Sequence, residues 1–311
     1  MFKMRLAGRH VALVTAAAAR HQDEDLAPLE AALRAEGAEV SIVDWDDPGI
    51  TWRRFEVALL RSTWDYSMRL SQFLHWAQEV SALTLLLNPL EVVRWNTDKH
   101  YLAELERAHV PIVPSHFIEP SAGRAQIEAL LDGLDSPELV VKPAIGSGSR
   151  DAQRHARSAR DSILAHILRL TQAGRAALLQ PYLERVDDHG ETALMFFRGR
   201  FSHAIRKGPL LRPGADPTDK LFAAEEITRR VPDADELHVG ALALGAIPFA
   251  DLLYARVDLV RDRRGAPCVL ELELTEPSLF FAHDPASAPR FVAELVDFLP
   301  PQLPRRDEAA R

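Results

Sequence analysis

The sequence contains a single cysteine, Cys268, among its 311 residues. One cysteine excludes an intrachain disulfide framework and is typical of a reducing compartment. Apolar runs are short, since none approaches the roughly 18 residues of a membrane span, and no signal peptide is evident. Positive charge is also scarce, with 37 Lys and Arg against 45 Asp and Glu. The net charge of -8 argues against sequence-independent nucleic-acid binding, which needs a basic surface. We therefore expect a cytoplasmic protein with no membrane or nucleic-acid partner.

The composition is otherwise that of an ordinary globular protein, with 47% hydrophobic and 26% charged residues. A chain of this length accommodates two or three subdomains. Over roughly the first 90 residues, apolar strand-like segments alternate with helical patterns, which predicts a small parallel α/β sheet. The predicted strands cover residues 10–15, 40–43, 57–60 and 85–87, and the predicted helices begin at Leu26 and Ser71.

A polar and aromatic cluster follows the third of these strands. Functional side chains of parallel sheets lie just beyond the carboxyl ends of strands. That position is held by Arg61, Ser62, Trp64 and Asp65. The mixture of charge, hydroxyl and aromatic groups suits a small polar ligand. The segment leaves one alternative open, a capped loop packed under its own aromatic residues.

Two apolar runs, residues 252–260 and 267–274, flank a polar break and predict a β-hairpin that turns between Arg264 and Gly265. Side chains alternate along a strand, so one face of this hairpin is apolar and the other carries charge. Cys268 has the odd spacing from the charged residues that puts it on the apolar face. We expect it to be an inert core thiol.

The charged face carries Arg256 and Asp258 on one strand and Glu271 and Glu273 on the other. The predicted turn sets Asp258 opposite Glu271 and Arg256 opposite Glu273. Like charges that face each other across a sheet destabilise it, so three carboxylates in one patch need a reason. Mg²⁺ binds carboxylate oxygens together with substrate phosphates, and an arginine suits an anionic phosphoryl group. A solvated strand face, on which the arginine pairs with an acid, is the alternative.

Two lysines stand where they could serve a bound phosphate. Lys99 follows a capping sequence and is expected in the first turn of a helix, where its charge opposes the helix dipole unless an anion accompanies it. Lys142 ends a short predicted strand and precedes a loop of small residues, whose backbone N–H groups can cradle an anion. The Walker pattern is absent. The small residues of the loop are Gly146, Ser147, Gly148 and Ser149.

The remaining segments predict further helices and strands, together with two irregular stretches. A Gly/Pro-rich stretch over residues 208–217 is typical of a mobile loop, and residues 304–311 of a frayed tail. The predicted elements are helices over 162–170, 235–244 and 288–299, a strand over 177–180, and a hairpin of strands 191–197 and 201–205.

Taken in order along the chain, these residues resemble the ATP-grasp ligases. The resemblance covers nearly the whole chain and rests on an ordered set: Lys99, Lys142, the small-residue loop, Gln180-Pro181-Tyr182-Leu183, Arg256-x-Asp258 and Glu271-x-Glu273. It implies a mixed α/β and α+β ATP-grasp fold, in which two subdomains clamp ATP. The implied parts are an N-terminal α/β domain (1–95), a central and lid subdomain (96–183) and a C-terminal subdomain with the metal site (184–311).

The resemblance also implies roles for individual residues. ATP would lie beneath the loop of residues 146–150, held by Lys99 and Lys142 on the phosphates, Gln180, Tyr182 and Leu183 along the adenine, and Asp187 or Glu184 on the ribose. Two Mg²⁺ ions would be held by Asp258, Glu271 and Glu273, and Mn²⁺ is an alternative ion. The family more often has asparagine where this chain has Glu273. The catalytic group would be Arg256 with Lys207, and the substrate side Arg61, Ser62, Trp64, Asp65, Thr275, Glu276 and Ser278.

The implied activity is an ATP-dependent ligation, in which a carboxylate becomes an acyl phosphate and a nitrogen then displaces phosphate. The substrate would be a small amino-acid-type molecule, and a homodimer is an open option. Residues 181–209 and 271–281 most resemble a branch of small amino-acid ligases that includes cycloserine-forming cyclo-ligases acting on O-ureido-D-serine. An intermolecular peptide or amide ligase, a non-catalytic nucleotide-binding module and a carboxylate–metal hydrolase are the alternatives. No role is fixed for His203 or His283.

Overall fold

The computed structural model describes residues 4–211 and 226–300. The first of its three sheets is parallel, as predicted, with the strand order β2-β1-β3-β4. The third strand extends to Ser62, so that Arg61 and Ser62 lie within it and not after it. Elements of this region are β1 (His10–Thr15), α1 (Leu26–Ala35), β2 (Glu39–Asp44), β3 (Val57–Ser62), α2 (Leu70–Ser81) and β4 (Leu85–Leu87).

A four-stranded antiparallel sheet of order β5-β8-β6-β7 follows. The predicted position of Lys99 in the first turn of a helix is wrong, because one helix ends at Asn96 and the next begins at Tyr101. Lys99 lies in the turn between them. Elements of this region are α3 (Leu90–Asn96), α4 (Tyr101–Arg107), β5 (His116–Ile118), α5 (Arg124–Gly133), β6 (Glu138–Pro143), β7 (Gln153–Ala156), α6 (Arg160–Gln172) and β8 (Ala177–Pro181).

The third sheet is antiparallel, with the order β11-β10-β9-β12-β13. Helix α8 packs closely on it at Gly240, where an added Cβ would come within 2.7 Å of Leu194. Elements of this region are α7 (Val186–His189), β9 (Glu191–Phe197), β10 (Arg200–Lys207), β11 (Ile227–Arg230), α8 (Ala234–Gly245), β12 (Tyr254–Arg261), β13 (Pro267–Glu273) and α9 (Ser287–Phe298). The predicted loop at 208–217 lies partly, and the predicted tail at 304–311 wholly, outside the described residues.

The hairpin of β12 and β13 has the predicted cross-strand pairs, with Arg256 opposite Glu273 and Asp258 opposite Glu271. The turn is centred on Arg264 and not between Arg264 and Gly265, so the residue pairs next to it differ by one residue from the predicted register. A β-bulge at Leu270 restores the predicted pairing beyond it. A bulge adds one residue to one strand and changes which side chains share a face. The expected placement of Cys268 on the same apolar face as Leu272 is therefore wrong, since Cys268 packs on the opposite side with Val113 and Val260. It is nevertheless buried, and burial raises the pKa of its thiol to about 12.

Buried polar side chains join the N-terminal region to the third sheet. The Asn88 amide bonds the backbone of Leu253, Tyr254 and Leu274 at 2.7–3.0 Å. The Asp25 carboxylate accepts the consecutive N–H groups of residues 279–281 at 2.5–3.1 Å. Helices α1 and α9 share one apolar core. The loop that follows β13 is therefore held by the N-terminal region.

The outer edge of β13 is bonded mainly by side chains that flank Lys99. Asn96 donates to Leu272 O (2.7 Å) and accepts from Leu274 N (2.6 Å), while the Tyr101 hydroxyl accepts from Leu272 N (2.9 Å). An edge strand has unpaired backbone groups that need partners. The same short segment therefore satisfies this edge and presents Lys99 beside it.

The three sheets fall within the three residue ranges predicted for the subdomains. The division at residues 95 and 183 itself stays a prediction. In the part of the chain that the structure describes, none of the helices has the length and apolar character needed to span a membrane.

Candidate active site

A cavity of about 560 Å³ lies where the three sheets meet. It is bounded by the charged face of the β12–β13 hairpin, the loop after β6, the end of β8 and the segment after β3. Most of the residues predicted for the site lie in its wall: Trp64, Lys99, Lys142, Gly146, Ser147, Gly148, Ser149, Gln180, Tyr182, Leu183, Lys207, Arg256, Asp258, Glu271, Glu273, Glu276 and Ser278.

Arg256 and Asp258 form the buried centre of the charged face. The guanidinium donates two parallel hydrogen bonds to the carboxylate at 2.8 Å each, a third to Ser278 O at 3.1 Å, and a fourth to Glu273. Lys207 approaches Asp258 from β10 at 2.7 Å. Burial alone would raise the pKa of Asp258, but these two cations hold it well below its ordinary value. Asp258 is therefore ionised throughout the physiological pH range.

Lys99 closes the other end of the charged face. Its Nζ lies 2.8 Å from Glu271 Oε1 and donates to Gly146 O at 2.7 Å. Burial opposes the charge of Lys99, but Glu271 outweighs it and raises its pKa. Lys142 has no hydrogen bond from its side chain within the described residues, and burial lowers its pKa. Of the two lysines, Lys142 has the ammonium group available for an anionic ligand.

Two carboxyl groups in the cavity have raised pKa values, because burial disfavours their charged form. Burial raises the pKa of Glu273 to about 7, offset in part by Arg256 and reinforced by Asp258 and Glu271. Burial, with the charge of Glu273, raises the pKa of Glu276 to about 8. No described residue hydrogen-bonds to the Glu276 carboxyl group. Perturbed carboxyl groups in a cleft are typical of functional sites.

The donor set fits a hard dication. Within the described residues, no three histidine, cysteine or acidic side chains already form a metal site, because Asp258, Glu271 and Glu273 each bond to a cation of the protein. All of them nevertheless offer carboxylate oxygens, the ligands that Mg²⁺ prefers. Burial, together with the charges of Asp258 and Glu271, raises the pKa of Glu273, so a cation bound nearby would favour its ionised form.

The loop of small residues is fastened to the N-terminal region. Ser147 donates to Trp64 O at 2.6 Å, and Gly146 O accepts from Lys99. Gly148 and Ser149 have φ values of 61° and 58°, in the left-handed region that favours glycine. A loop of this shape directs successive backbone N–H groups to one side, which suits a phosphate.

The remaining end of the cavity is an apolar slot beside Gln180. Its walls include Val113, Val140, Tyr182, Leu183, Val186, Val260 and Leu270. Gln180 is almost completely buried (1% exposed) and is the polar group of this slot. An apolar cleft with a few well-placed polar groups is typical of a nucleotide base site.

Asp187, predicted to bind ribose, does not lie in the cavity wall. It accepts hydrogen bonds from the Tyr182 hydroxyl (2.5 Å) and from Arg154 (3.0 Å). Arg154 in turn stacks 3.5 Å above the Tyr182 ring. Its alternative, Glu184, also lies outside the wall, 3.9 Å from Arg263. The acid that lines the cavity nearby is Glu191, which is bonded to Lys207 at 2.6 Å.

Four residues predicted for the substrate side make contacts inside the fold and do not lie in the cavity wall. Arg61 donates to Pro277 O (2.9 Å), and Ser62 bonds to Thr15 (2.7 Å). Asp65 accepts from Trp45 (2.9 Å). The Thr275 carbonyl oxygen accepts from the Tyr254 hydroxyl, and the Thr275 hydroxyl donates to Asn96 Oδ1. Because Arg61 and Ser62 lie within β3, their side chains are enclosed by the sheet and the loop after β13.

Sequence reasoning missed Asp23, which lies in the cavity wall and is 8% exposed. Its Oδ2 has no hydrogen-bond partner among the described residues, and burial raises its pKa. The acidic sequence 23–25 is a signal for this residue, but acids at this position are equally typical of a helix start. Of the two histidines, His203 is buried with a pKa lowered to about 4 by burial, whereas His283 lies in the wall.

Comparison with known proteins gives consistent relatives. Residues 11–88 match a family model described as the N-terminal domain of D-cycloserine synthetase DcsG. The cycloserine biosynthesis protein DcsG of Streptomyces lavendulae is 40% identical over 300 residues, which are 94% of this chain and 99% of that protein. A crystal structure of D-cycloserine synthetase DcsG has a TM-score of 0.88 and 38% identity, covering 93% of this chain and 99% of the other.

A more distant likeness extends to another ligase. The ATP-grasp ligase PsnB, solved with a phosphomimetic variant of its minimal precursor, Mg and ADP, has a TM-score of 0.62 at 17% identity. It covers 93% of this chain and 98% of its own. The fold is therefore that of the ATP-grasp ligases, as predicted from the ordered set of lysines, acids and residues 180–183. Within this class, the chain belongs to the DcsG family.

Proposed function

We propose that this protein uses Mg·ATP to activate the carboxylate of a small amino acid as an acyl phosphate, and that a nitrogen then attacks the acyl carbon. The observation that carries the proposal is the convergence of Lys99, Lys142, Arg256 and the acid patch on one cavity with an apolar slot at its end. Phosphoryl transfer depends mainly on positioning and on charge neutralisation, which these groups supply. No nucleophilic side chain is required.

The nucleotide binds with its base in the slot beside Gln180 and its phosphates beneath the loop of residues 146–150. Lys142 holds a phosphate through its available ammonium group. Asp258, Glu271 and Glu273 are the ligands for Mg²⁺, which neutralises phosphate charge when bound. Since Lys99 and Glu271 pair at 2.8 Å, nucleotide binding exchanges their bond for bonds to phosphate and metal.

The amino-acid substrate binds between Arg256 and the N-terminal region. Arg256 is held by Asp258 and Ser278 O, so its guanidinium is fixed beside the position where the acyl phosphate gains charge. Asp23 and Glu276 both line this end, and neither Asp23 Oδ2 nor the Glu276 carboxyl group has a hydrogen-bond partner among the described residues. They are suited to the ammonium group of the substrate, whose charge lowers the cost of their ionisation.

The specific reaction that we propose is the cyclisation of O-ureido-D-serine to D-cycloserine. Its support is 40% identity over nearly the whole length of a cycloserine biosynthesis protein. The γ-phosphoryl group of ATP transfers to the substrate carboxylate and leaves ADP. The ureido nitrogen that is bonded to the side-chain oxygen attacks the acyl carbon, and the C–N bond forms as the bond to phosphate breaks. Water then hydrolyses the carbamoyl group from that nitrogen, which releases carbon dioxide and ammonia.

The test is the release of ADP and phosphate from Mg·ATP with a panel of amino acids that includes O-ureido-D-serine and its L form. Mass spectrometry of the product identifies the ring. Release with the D substrate, and its loss in Glu271→Gln, is the expected result. Release only with pairs of amino acids would replace cyclisation by intermolecular ligation. ATP binding without any release would leave a nucleotide-binding module.

A further inference from the structure

Ser115 lies beside Gln180 because of the strand register. In the antiparallel pairing of β5 with β8, His116 is opposite Leu179, so the residue before His116 adjoins the residue after Leu179. The Gln180 amide nitrogen donates to Ser115 Oγ at 2.8 Å. Ser115 itself does not line the cavity, whereas Gln180 does.

The hydrogen bonds of Ser115 fix which end of the Gln180 amide faces it. The single hydroxyl proton of Ser115 is donated to Val113 O at 2.8 Å, and a carbonyl oxygen only accepts. Ser115 Oγ therefore has only lone pairs left for its neighbour. It accepts from the amide NH₂ and would repel the amide oxygen. The Gln180 oxygen is thereby directed away from Ser115.

A second group of fixed polarity lies three residues further on. Leu183 lines the same slot, and its backbone N–H donates to no other group within the described residues. The slot thus presents one acceptor, Gln180 Oε1, and one donor, Leu183 N–H. Adenine has a donor at its 6-amino group, whereas guanine has an acceptor at its 6-oxygen. The pattern of the slot matches adenine and opposes a 6-oxopurine.

We propose that Ser115 is a positioning residue that makes the nucleotide site selective for adenine by locking the Gln180 amide. The inference rests on the proposed binding of ATP at this slot. Without the Ser115 hydroxyl, the amide is free to turn and to offer its NH₂ group to the 6-oxygen of guanine or hypoxanthine. Ser115 thus sets the selectivity without touching the base.

The experiment measures the dissociation constants of Mg·ATP, Mg·GTP and Mg·ITP by isothermal titration calorimetry, without amino-acid substrate. The wild type is expected to bind ATP at least about tenfold more tightly than ITP, the size of one lost hydrogen-bonded base contact. Ser115→Ala is expected to reduce this ratio by about tenfold, mainly through tighter binding of ITP and GTP. Ser115→Thr keeps the hydroxyl and should retain the wild-type ratio.

Ser136→Ala is the matched control. Ser136 also donates to a backbone carbonyl, Glu138 O at 2.9 Å, in the same region of the chain, but it does not line the cavity. It should leave the ratio unchanged. An unchanged ratio in a folded Ser115→Ala protein that binds ATP would overturn the role of Ser115 and leave the proposed function standing.

Two further results separate the inference from the proposed function. Equal binding of ATP and ITP by the wild type would overturn adenine selectivity even if no Ser115 variant folds. Absence of ATP binding in the wild type would overturn both proposals. Melting temperatures without nucleotide show whether each variant is folded.

Discussion

Strand β12 carries two buried arginines whose surroundings differ in how negative charge is compensated. At one end, Arg261 donates to Asp233 and Asp235 at 2.8 Å each. This contact lowers the pKa of Asp235. Burial would raise the pKa of neighbouring Glu236, but the backbone N–H of Asp233, the Thr192 hydroxyl and the nearby arginines together lower it. This end is an electrostatically satisfied structural cluster.

At the other end, Arg256 also pairs with two acids, yet the result is different. Asp258 is held below its ordinary pKa, whereas the pKa values of Glu273 and Glu276 are raised to about 7 and about 8 by burial and by their acidic neighbours. The acids near one end of β12 are therefore held in their charged form, whereas burial in the cavity disfavours the charged form of two acids near its other end. Acids with raised pKa values in a cleft are typical of functional sites.

The largest expected effect is a loss of activity when Arg256 is replaced, which we do not expect when Arg261 is replaced. Arg256→Lys removes the parallel pair of hydrogen bonds to Asp258 and should lower kcat/KM for ADP release by about 10²–10³-fold, the cost of losing one fixed group that stabilises transition-state charge. Arg261→Lys should reduce the melting temperature but change kcat/KM less than about threefold. Equal losses of activity in both variants would remove the distinction between the two ends.

The next effect concerns a buried carboxylate that holds the loop after β13 to the N-terminal region. Asp25→Asn replaces an acceptor of three backbone N–H groups by a side chain with donors of its own. It should lower the free energy of unfolding by about 3 kcal/mol in urea titrations. Asp47→Asn is the control, because exposed Asp47 accepts one backbone N–H (2.8 Å), and it should change stability by less than about 0.5 kcal/mol. Similar values for both would contradict the structural role of Asp25.

A third effect is the pH dependence of stability without ligand. The pKa values of Glu273 and Glu276 lie above 4.5 in the folded state, so the folded protein holds more protons than the unfolded chain between about pH 4.5 and pH 8. Their contribution to the free energy of unfolding is present at low pH and is lost as pH rises through about 7 to 8. The melting temperature is therefore expected to fall over this range.

Glu276→Gln should flatten this fall and raise the melting temperature at pH 8. Glu236→Gln is the matched control, because the pKa of Glu236 is lowered in the folded protein. Its ionised carboxylate therefore stabilises the folded state at pH values above the unfolded-state pKa of about 4.5, and this stability is lost only as the pH falls below that value. It should lower the melting temperature at pH 8. A flat profile in the wild type would show that the acids of the cavity are compensated like those around Arg261.

The smallest effect concerns Cys268, on the same hairpin but outside both clusters. Cys268→Ala removes a buried sulfur packed against Val113 and Val260 and should cost about 1 kcal/mol, with kcat/KM unchanged. In the wild type, thiol reagents at pH 8 should react slowly, because burial raises the thiol pKa to about 12. Rapid labelling of the folded protein would show that the thiol is accessible.

Side-chain alternation along the hairpin is sufficient to predict its charged cross-strand pairs. Arg256 with Glu273 and Asp258 with Glu271 follow from residue periodicity and the central polar break. The bulge at Leu270 was not predictable from this alternation. The shift in register that begins at the turn is cancelled by the extra residue of the bulge, so these two pairs are the same with or without both features. The side on which Cys268 packs depends on that bulge.

The substrate side was harder to predict because polar residues after a strand serve packing as readily as binding. Arg61 bonds to the loop after β13, and Ser62 and Asp65 bond to side chains of the N-terminal region. Only the three-dimensional arrangement separates them from Trp64, which reaches the cavity. The position of Asp187 was hard to predict for a related reason, because its partner Arg154 lies on a strand that the sequence pattern did not indicate. Long-range partners of this kind leave no local signal.

The bonding of β13 by Asn96 and Tyr101 restricts where this chain can accept insertions and deletions. The turn of residues 262–266 ends in solvent, so a change in its length is absorbed outside the cavity. One residue added between Asn96 and Tyr101 would break the spacing that holds Lys99 2.8 Å from Glu271. Alignments and designed libraries should therefore treat residues 96–101 as a segment of fixed length, although it is neither one helix nor a strand.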